Sequence, residues 1–293
     1  MSESSSSCEA LLISATARFD SDTPRLDAEL LMVNATGWSR TSLRAWPERV
    51  LDDRQLVQFA AQVDQRARGH PIAHILGEQG FWSLPLRVND ATLIPRPDTE
   101  SLVEAALEFA LPAAARVLDL GTGTGAIALA LASERPAWQI MACDAVPAAV
   151  ALAQVNAELL ALPVEVCTSH WFDGLSPQTF DLIISNPPYV RAGDYHLGQG
   201  DVRFEPESAL VAGEDGLDDL RLIVGQAPEW LAGGGWLVVE HGFDQALAVR
   251  GLFSAAGFEN IRTQKDYGGQ DRLTLAQRPA PAGENFTGES DAQ

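Results

Sequence analysis

The order of apolar and polar positions separates a helical first part of the chain from a longer part in which strands and helices alternate. Residues 24–33 place apolar side chains at helical spacing behind a proline that suits the first turn of a helix, and residues 52–68 repeat this spacing. From about Leu86 onward, short apolar runs predict the strands of a largely parallel sheet with helices on both faces. The predicted strands cover residues 117–120, 140–144, 164–167, 182–185, 236–240 and 272–275.

These patterns predict an α/β fold preceded by a small helical domain. The helical domain covers residues 1–85 and shows no recognisable catalytic cluster, and the α/β domain covers residues 86–278. A chain of 293 residues is long enough to hold both. Residues 279–293 are rich in Pro, Ala, Gly, Glu and Ser, which predicts a disordered tail.

An apolar run that stops at Asn-Pro-Pro-Tyr is the most informative motif. Residues 180–185 are typical of a buried strand, and Pro187 and Pro188 end it because proline has no N–H for a ladder. The prolines also stiffen the backbone before them. Asn186 Oδ1 and the carbonyl of Pro187 thus form a fixed pair of acceptors beside the ring of Tyr189. Such a pair can hold a planar –NH2 group with its lone pair toward an electrophile, without a strong base.

A glycine-rich turn lies upstream, between a predicted strand and a predicted helix. Its residues are Gly121, Thr122, Gly123, Thr124 and Gly125. Glycines permit close approach of the backbone to a ligand, and the spacing differs from that of dinucleotide folds. Asp144 follows at the end of the next predicted strand, where a carboxylate can accept both ribose hydroxyls of a nucleoside ligand. Because the carboxyl ends of parallel strands share one edge, we expect this turn, Asp144 and Asn186 to lie together.

The chain is strongly acidic, with 40 Asp and Glu against 20 Lys and Arg and a net charge of −20. Proteins that grip free DNA or RNA carry a basic face, so this balance disfavours a nucleic-acid-binding function. An acidic surface can instead attract a basic protein partner. No stretch reaches the apolar length of a membrane span, and residues 1–9 lack the features of a signal peptide. We therefore expect a cytoplasmic protein that binds neither nucleic acid nor a membrane.

The cysteine and histidine residues show no clear metal-binding pattern. Cys8, Cys143 and Cys167 are far apart in the sequence, which suggests a reducing compartment and no structural zinc. His70 and His74 have a spacing that can hold a metal on a helix, but a proline lies between them and no third ligand is evident. We expect no bound metal.

Together, Asp-Leu-Gly-Thr-Gly-Thr-Gly at residues 119–125, Asp144 and Asn-Pro-Pro-Tyr resemble a class I S-adenosylmethionine (AdoMet) methyltransferase that acts on an amino or amide nitrogen. Two further strings narrow the resemblance: Gly-Phe-Trp-Ser-Leu-Pro-Leu at residues 80–86 and Leu-Ile-Pro-Arg-Pro-Asp-Thr-Glu at residues 93–100. With them the chain, from about residue 25 to about residue 275, is similar to the release factor glutamine methyltransferases (the HemK or PrmC family). These enzymes methylate the N5 amide of a glutamine.

The resemblance implies a Rossmann-like methyltransferase domain, AdoMet as cofactor and class-1 peptide chain release factors as protein substrates, methylated at the glutamine of a Gly-Gly-Gln motif. It implies that the helical domain contributes to substrate recognition. The implied cofactor-binding residues are Gly121, Thr122, Gly123, Thr124, Gly125, Asp144, Trp171 and Asn186. The implied catalytic residues are Asn186, Pro187 and Tyr189, which would grip the substrate together with Pro188. Trp171 and Phe172 are expected to flank the adenine of the cofactor.

Other functions stay open from the sequence. An adenine-N6 methyltransferase on nucleic acid would stack Tyr189 on a flipped base, although the acidic charge disfavours it. A glutamine methyltransferase acting on a ribosomal protein would share the Asn-Pro-Pro-Tyr motif. A non-catalytic AdoMet-binding protein is the remaining alternative.

Several further segments carry no settled role. Arg96 either braces the active-site loop or only precedes a helix that Asp98 or Thr99 caps. Residues 240–242, Glu-His-Gly, end a predicted strand, so the first two side chains are candidates for lining the cleft. Phe204-Glu205-Pro206 matches a family segment of unknown role. The Gly-Gly-Gln at residues 268–270 copies the substrate motif, but a glycine turn between two strands explains it, and we expect no self-methylation of this glutamine.

Overall fold

A computed structural model of the chain describes residues 7–280. The predicted tail lies outside the described residues from residue 281 onward. The chain forms two compact units. The first comprises the described residues up to Gln79 together with Arg87–Ile94 and Gly193–Pro206, and the second comprises Gly80–Leu86, Pro95–Ala192 and the described residues from Glu207 onward.

The described residues of the first unit form five α-helices. They are α1 (Cys8–Thr16), α2 (Pro24–Thr36), α3 (Arg40–Ala45), α4 (Asp53–Ala67) and α5 (Ile72–Leu76). The two helices predicted from apolar spacing are α2 and α4. Asp52 and Gln55 close a capping box at the start of α4, where each side chain accepts from the other's backbone N–H. The apolar core includes Leu12, Leu31, Met32, Leu43 and Phe59.

A buried arginine links distant segments of the first unit. Arg66 is 8% exposed, too little for water to compensate its charge, and its guanidinium donates to Asp27 and to Asp201, each at 2.8 Å. The same group donates to the carbonyl of His70 at 3.0 Å. Asp201 belongs to Gly193–Pro206, so this ion pair fastens that segment to the helices of the first unit.

The Phe204-Glu205-Pro206 segment, whose role the sequence leaves open, has structural contacts in the first unit. The rings of Phe204 and His70 lie 4.5 Å apart. The buried carboxylate of Glu205 accepts the backbone N–H of Ile94 at 3.0 Å. These contacts hold the segment that follows Asn-Pro-Pro-Tyr in the sequence.

Two short strands, β1 (Glu78–Phe81) and β2 (Leu84–Arg87), form a separate two-stranded sheet. The prediction that residues 1–85 are helical is therefore wrong for this segment. Gly80 and Pro85 are poor helix residues, and Trp82 in the connecting turn has a positive φ of 57° that no helix permits.

A seven-stranded sheet forms the centre of the second unit. Its strands are β3 (Arg116–Leu120), β4 (Gln139–Asp144), β5 (Val164–Thr168), β6 (Phe180–Ser185), β7 (Leu231–Glu240), β8 (Glu259–Lys265) and β9 (Asp271–Gln277). Their order is β5-β4-β3-β6-β7-β9-β8. The first five in this order run parallel, and β9 runs antiparallel to both of its neighbours. All six predicted strands are present, and β8 was not predicted.

Helices cover both faces of this sheet. They are α6 (Glu100–Leu107), α7 (Ala126–Glu134), α8 (Pro147–Leu160), α9 (Asp218–Trp230) and α10 (Ala246–Ala255). Alternate residues of β3 point to opposite faces. Val117 packs in one core with side chains of α6 and α7, and Leu118 packs in a second core with side chains of α9 and α10. Among residues 7–280, no helix is long and apolar enough to pass through a lipid bilayer.

Candidate active site

The register of three neighbouring strands brings the sequence motifs together. Leu120, the last residue of β3, pairs with Cys143 of β4 on one side and with Ser185 of β6 on the other. The residues that follow these positions are Gly121, Asp144 and Asn186. The prediction that the glycine turn, Asp144 and Asn186 share one edge of the sheet is therefore confirmed.

The glycine turn is held by backbone hydrogen bonds to the neighbouring strand. The N–H groups of Gly121 and Thr122 both donate to the carbonyl of Cys143 at 2.9 Å. Gly121, Gly123 and Gly125 have φ of 70°, 55° and 86°, which favours glycine at each position. A Cβ on Gly125 would also lie 3.4 Å from the Cβ of Ala153, so the turn packs closely against α8.

A carboxylate lies buried beneath this turn. Asp119 is fully buried, and its Oδ2 accepts the hydroxyl of Thr122 at 2.6 Å and the N–H of Ala128 at 3.3 Å. Its Oδ1 has no hydrogen-bond partner within residues 7–280. Burial raises the pKa of Asp119 to about 7, because a carboxylate loses its hydration there. A buried unpaired oxygen is unfavourable and suits a site that a polar ligand completes.

Asp144 fixes the glycine turn through its carboxylate. Its Oδ2 accepts the N–H of Gly123 and its Oδ1 accepts the N–H of Val146, each at 2.9 Å. Each carboxylate oxygen has a second lone pair, so Asp144 can still accept hydroxyl groups from a ligand.

Trp171 lies beside the glycine turn. A Cβ built on Gly121 would lie 3.1 Å from the indole ring, so only glycine leaves this contact undistorted. The indole N–H donates to Asp219 at 3.2 Å, which fixes the ring. Phe172 is placed differently: it is 2% exposed and stacks on Trp230 at 5.3 Å. The structure thus places Trp171 beside the glycine turn and Phe172 in the core against Trp230.

The Asn-Pro-Pro-Tyr segment is joined by two residues that sequence reasoning did not assign to it. The Nδ2 of Asn186 donates to the hydroxyl of Thr99 at 3.1 Å, and that hydroxyl donates to Glu240 Oε2 at 2.8 Å. The hydroxyl of Tyr189 donates to the other oxygen, Oε1, at 3.0 Å. One carboxylate at the end of β7 therefore holds residues from two other parts of the chain.

Thr99 occupies the expected cap position of a helix, but the expectation that its side chain caps that helix is wrong. Thr99 is the residue before α6, but its hydroxyl makes no cap bond and is directed to Glu240. Arg96 precedes a short 3₁₀ helix, Pro97–Thr99, that leads into α6. The helix-start interpretation of this segment is confirmed, and the same segment supplies Thr99 to the site.

Burial dominates the electrostatics around Glu240. It raises the pKa of this carboxyl to about 7, against the opposing hydrogen bonds from Thr99 and Tyr189 and the positive charge of Arg272. Burial also raises the pKa of the Tyr189 phenol, and the negative charge of Glu240 adds to this effect. The phenol is therefore a hydrogen-bond donor at neutral pH.

His241, the other candidate for lining the cleft, does not enter the site. It is fully buried, and burial lowers the pKa of its imidazole, which keeps the ring neutral. Its Nδ1–H donates to the carbonyl of Gly242 at 2.9 Å, and its Nε2 lies 2.9 Å from the hydroxyl of Thr274. Its contacts are structural. Among residues 7–280, no three His, Cys, Asp or Glu side chains are grouped so as to hold a metal ion.

The backbone after the tetrapeptide is also fixed. Gln245 Nε2 donates to the carbonyl of Tyr189 at 3.0 Å and to that of Gly216 at 3.2 Å. Val190 donates its N–H to the carbonyl of Leu210 at 2.8 Å. Pro187 is buried. These hydrogen bonds hold the backbone that follows Asn186.

Comparison with protein families gives two matches. The model of the PrmC N-terminal domain matches residues 10–77, within the first unit. The model of the methyltransferase small domain matches residues 99–201.

Curated relatives match nearly the whole chain. The release factor glutamine methyltransferase of Pseudomonas aeruginosa is 56% identical over 259 residues, which cover 88% of this chain and 94% of that relative. The enzyme of the same name from Escherichia coli is 52% identical over 256 residues, covering 87% and 92%. That of Vibrio cholerae is 50% identical over 274 residues, covering 92% and 96%.

Solved structures support the fold. A methyltransferase from Pyrococcus furiosus aligns with a TM-score of 0.53 and 16% identity, over 75% of this chain and 98% of that one. A Thermus thermophilus 16S rRNA N2 G1207 methyltransferase, in complex with AdoMet and guanosine, aligns with a TM-score of 0.50 and 22% identity, over 69% and 49%. These likenesses confirm the predicted Rossmann-like methyltransferase fold and say nothing further about substrate.

Proposed function

The chain belongs to the release factor glutamine methyltransferases, and from this we propose that it transfers a methyl group from AdoMet to the N5 amide of the glutamine in the Gly-Gly-Gln motif of class-1 peptide chain release factors. The observation that supports this chemistry is the position of Asn186, at the carboxyl edge of the sheet and one strand away from the glycine turn. This position supports the proposal that the Asn186 amide acceptor works beside a nucleoside-binding glycine turn.

AdoMet is the cofactor, and the residues at the sheet edge fit it. We propose that Gly121, Thr122, Gly123, Thr124, Gly125, Asp144, Trp171 and Asn186 bind it. Asp119 Oδ1, buried without a partner in the described part of the chain, can accept from a cationic or polar ligand group. The absence of a side chain at Gly121 leaves the ring of Trp171 in contact with the turn. Bound AdoMet supplies an electrophilic methyl group on a positively charged sulfur.

Asn186 and Pro187 hold the substrate amide in this proposal. Asn186 Oδ1 and the carbonyl of Pro187 accept the two N–H bonds of the glutamine side chain, while Tyr189 and Pro188 complete the grip. The nitrogen lone pair is thereby directed at the donor methyl, which is catalysis by orientation. The nitrogen gains the methyl group and releases one proton to solvent, so no general base is assigned. The positive charge of the donor disappears during the transfer, and a weakly solvated site favours this.

We assign substrate recognition to the helical domain, residues 1–85, and methyl transfer to residues 86–278. The match of residues 10–77 to a domain model of this family supports a dedicated N-terminal role. The net charge of −20 suits attraction to a basic region of a protein partner. A release factor acts in translation, so the two proteins would meet in the cytoplasm.

Labelled AdoMet distinguishes the candidate substrates. The enzyme is incubated with a purified release factor, with the same factor carrying alanine at the Gly-Gly-Gln glutamine, with ribosomal proteins and with DNA. We expect label on the glutamine side chain of the unsubstituted factor only, located by mass spectrometry of peptides. Label in DNA would support an adenine-N6 methyltransferase, an alternative that the names of the relatives do not favour. Label in a ribosomal protein would support a glutamine methyltransferase that acts on that protein. Labelling of the alanine factor would contradict the assigned residue.

A further inference from the structure

We propose that Thr99 and Glu240 are positioning residues that determine which side of the Asn186 carboxamide faces the substrate. This inference rests on the proposed function, because it explains how Asn186 presents an acceptor to an amide nitrogen. Neither residue touches the reacting atoms in this proposal. Thr99 acts through Asn186, and Glu240 acts through Thr99 and through Tyr189.

The number of hydrogens on each group fixes the direction of these hydrogen bonds. A carboxylate has none, so Glu240 only accepts, and the single hydrogen of the Thr99 hydroxyl is donated to its Oε2 at 2.8 Å. The hydroxyl oxygen then has only lone pairs left for Asn186, 3.1 Å away. Only the Nδ2 side of that carboxamide carries hydrogens, so Nδ2 faces Thr99. Oδ1 consequently points to the opposite side, as an acceptor.

The direction matters because the two ends of a carboxamide have nearly the same shape. Turning the Asn186 amide by half a turn would exchange Oδ1 for an –NH2 group, and two –NH2 groups would then face each other across the reaction site. A substrate amide would lose one of its two acceptors. The Thr99 hydroxyl prevents this turn, since a reversed amide would place Oδ1 against an oxygen with no hydrogen to give.

The same carboxylate also directs Tyr189. Glu240 Oε1 accepts the phenol hydroxyl at 3.0 Å, so one side chain sets the hydrogen-bond direction at both ends of the Asn-Pro-Pro-Tyr segment. Glu240 is 3% exposed and Thr99 is 4% exposed, so water does not compete for these bonds. In such a dry environment a hydrogen-bond chain strengthens its members and makes a wrong orientation costly.

The protonation state of Glu240 adds a second prediction. The groups that face it are Arg272 on β9, whose charge lowers its pKa, Asp98 on the 3₁₀ helix, whose charge raises it, and the hydroxyls of Thr99 and Tyr189. Because burial brings this pKa to about 7, the carboxylate is present above about pH 7 and is lost as the pH falls through that value. A protonated Glu240 can donate its own hydrogen to the Thr99 hydroxyl. The hydrogen of that hydroxyl is then free to turn toward Asn186. Activity should therefore decrease on the acid side with a midpoint near pH 7.

Two substitutions at one position test the proposal. Thr99→Val keeps the shape of the side chain and removes the hydroxyl, whereas Thr99→Ser keeps the hydroxyl and removes the methyl group. We expect kcat of Thr99→Val on a release factor to fall at least about tenfold, a modest part of the loss typical of an oriented polar group. The KM for the release factor and the Kd for AdoMet should change less than about threefold, since the lost interaction acts in the transition state. Thr99→Ser should recover most of the lost kcat.

The pH dependence of kcat distinguishes a positioning role from a purely structural one, because a structural role alone would leave it unchanged. With saturating AdoMet, so that protonation of Asp119 in the proposed cofactor site does not limit kcat, the acid limb near pH 7 should be present in the parent enzyme and in Thr99→Ser and absent from Glu240→Gln. It should be weaker in Thr99→Val, in which Glu240 still accepts from Tyr189. Thermal unfolding of each variant identifies any that fail to fold. If Thr99→Val misfolds, side-chain ¹⁵N–¹H resonances of Asn186 in the parent supply the measurement: protection of one Nδ2 hydrogen from solvent supports the proposal, and free exchange of both contradicts it.

The outcomes separate this inference from the proposed function. Normal kcat and an unchanged pH profile in Thr99→Val, with the parent enzyme active on the release factor, would overturn the positioning role and leave the function intact. Equal losses of kcat in Thr99→Val and Thr99→Ser would also overturn it. Failure of the parent to methylate the release factor would overturn both.

Discussion

Placing a methyl group at Gly121 is expected to disturb the proposed cofactor site directly. Gly121 has φ of 70°, and a Cβ there would lie 3.1 Å from Cζ3 and 3.4 Å from Cη2 of Trp171. The ring cannot easily move away, because its indole N–H is bonded to Asp219 at 3.2 Å. Gly121→Ala therefore combines backbone strain with a steric contact.

The two effects can be separated by a matched control. Gly257 lies in the same unit with φ of 80°, and a Cβ there would meet no atom within 4 Å. Gly257→Ala should cost only the left-handed strain, about 1–2 kcal/mol of unfolding free energy. Gly121→Ala adds the overpacking cost, typically about 1–3 kcal/mol. We expect the unfolding free energy of Gly121→Ala to be lower by about 2–5 kcal/mol.

Cofactor affinity is the decisive measurement. Calorimetric titration with AdoMet should show a Kd at least about tenfold higher for Gly121→Ala, which corresponds to about 1.4 kcal/mol, and an unchanged Kd for Gly257→Ala. Urea unfolding of the full chain, followed by circular dichroism, gives the stabilities. Equal stability losses in the two variants together with a parental AdoMet Kd for Gly121→Ala would refute the claim that Trp171 and the glycine turn form the cofactor site.

Three other predictions follow from individual contacts. Asn186→Ala should lower kcat about a hundredfold or more in the release-factor assay, because an oriented acceptor is lost, and near-normal turnover would count against the mechanism. Gln270 should carry no methyl group in mass spectra of the enzyme incubated with AdoMet, since its backbone N–H and carbonyl are both bonded to Asp266 in a closed turn. Arg66→Met should lower the unfolding free energy by about 3–5 kcal/mol, because Asp27 stays buried without its cation. Asp201→Asn, at a carboxylate that is 39% exposed, should lower the unfolding free energy by less than about 1 kcal/mol, measured by urea unfolding. Equal losses in Arg66→Met and Asp201→Asn would show that the buried Arg66–Asp27 pair contributes no more than the half-exposed Arg66–Asp201 pair.

The interior of the sheet could be predicted from sequence because strands buried on both faces are continuous apolar runs. In β6 four consecutive residues, Leu182–Ser185, are buried, and that run is visible without a structure. β8 could not be found this way. It lies at the edge of the sheet, its residues are exposed or half-buried, and Glu-Asn-Ile-Arg-Thr-Gln-Lys has no apolar run to mark it.

Within the site, the residues that carry local signals were predictable, and the contacts that join them to Thr99 and Glu240 were not. Glycines, prolines and a strand-terminal acid mark the glycine turn, Asp144 and Asn186, because the backbone itself requires those residue types. Thr99 and Glu240 lie 141 residues apart, and only the folded sheet brings them into contact. In sequence, Thr99 carries the signal of a helix cap, since the same hydroxyl suits both roles.

The insertion of Gly193–Pro206 into the first unit has a practical consequence for dissecting the enzyme. The polypeptide leaves the methyltransferase unit four residues after Tyr189, is fastened through Asp201 to an arginine near the amino terminus, and then returns. The amino-terminal helices are therefore not a detachable module. Deleting them would remove the partners of Gly193–Pro206, a segment that begins four residues after Tyr189, so a truncated protein would carry a structural defect close in sequence to Asn-Pro-Pro-Tyr.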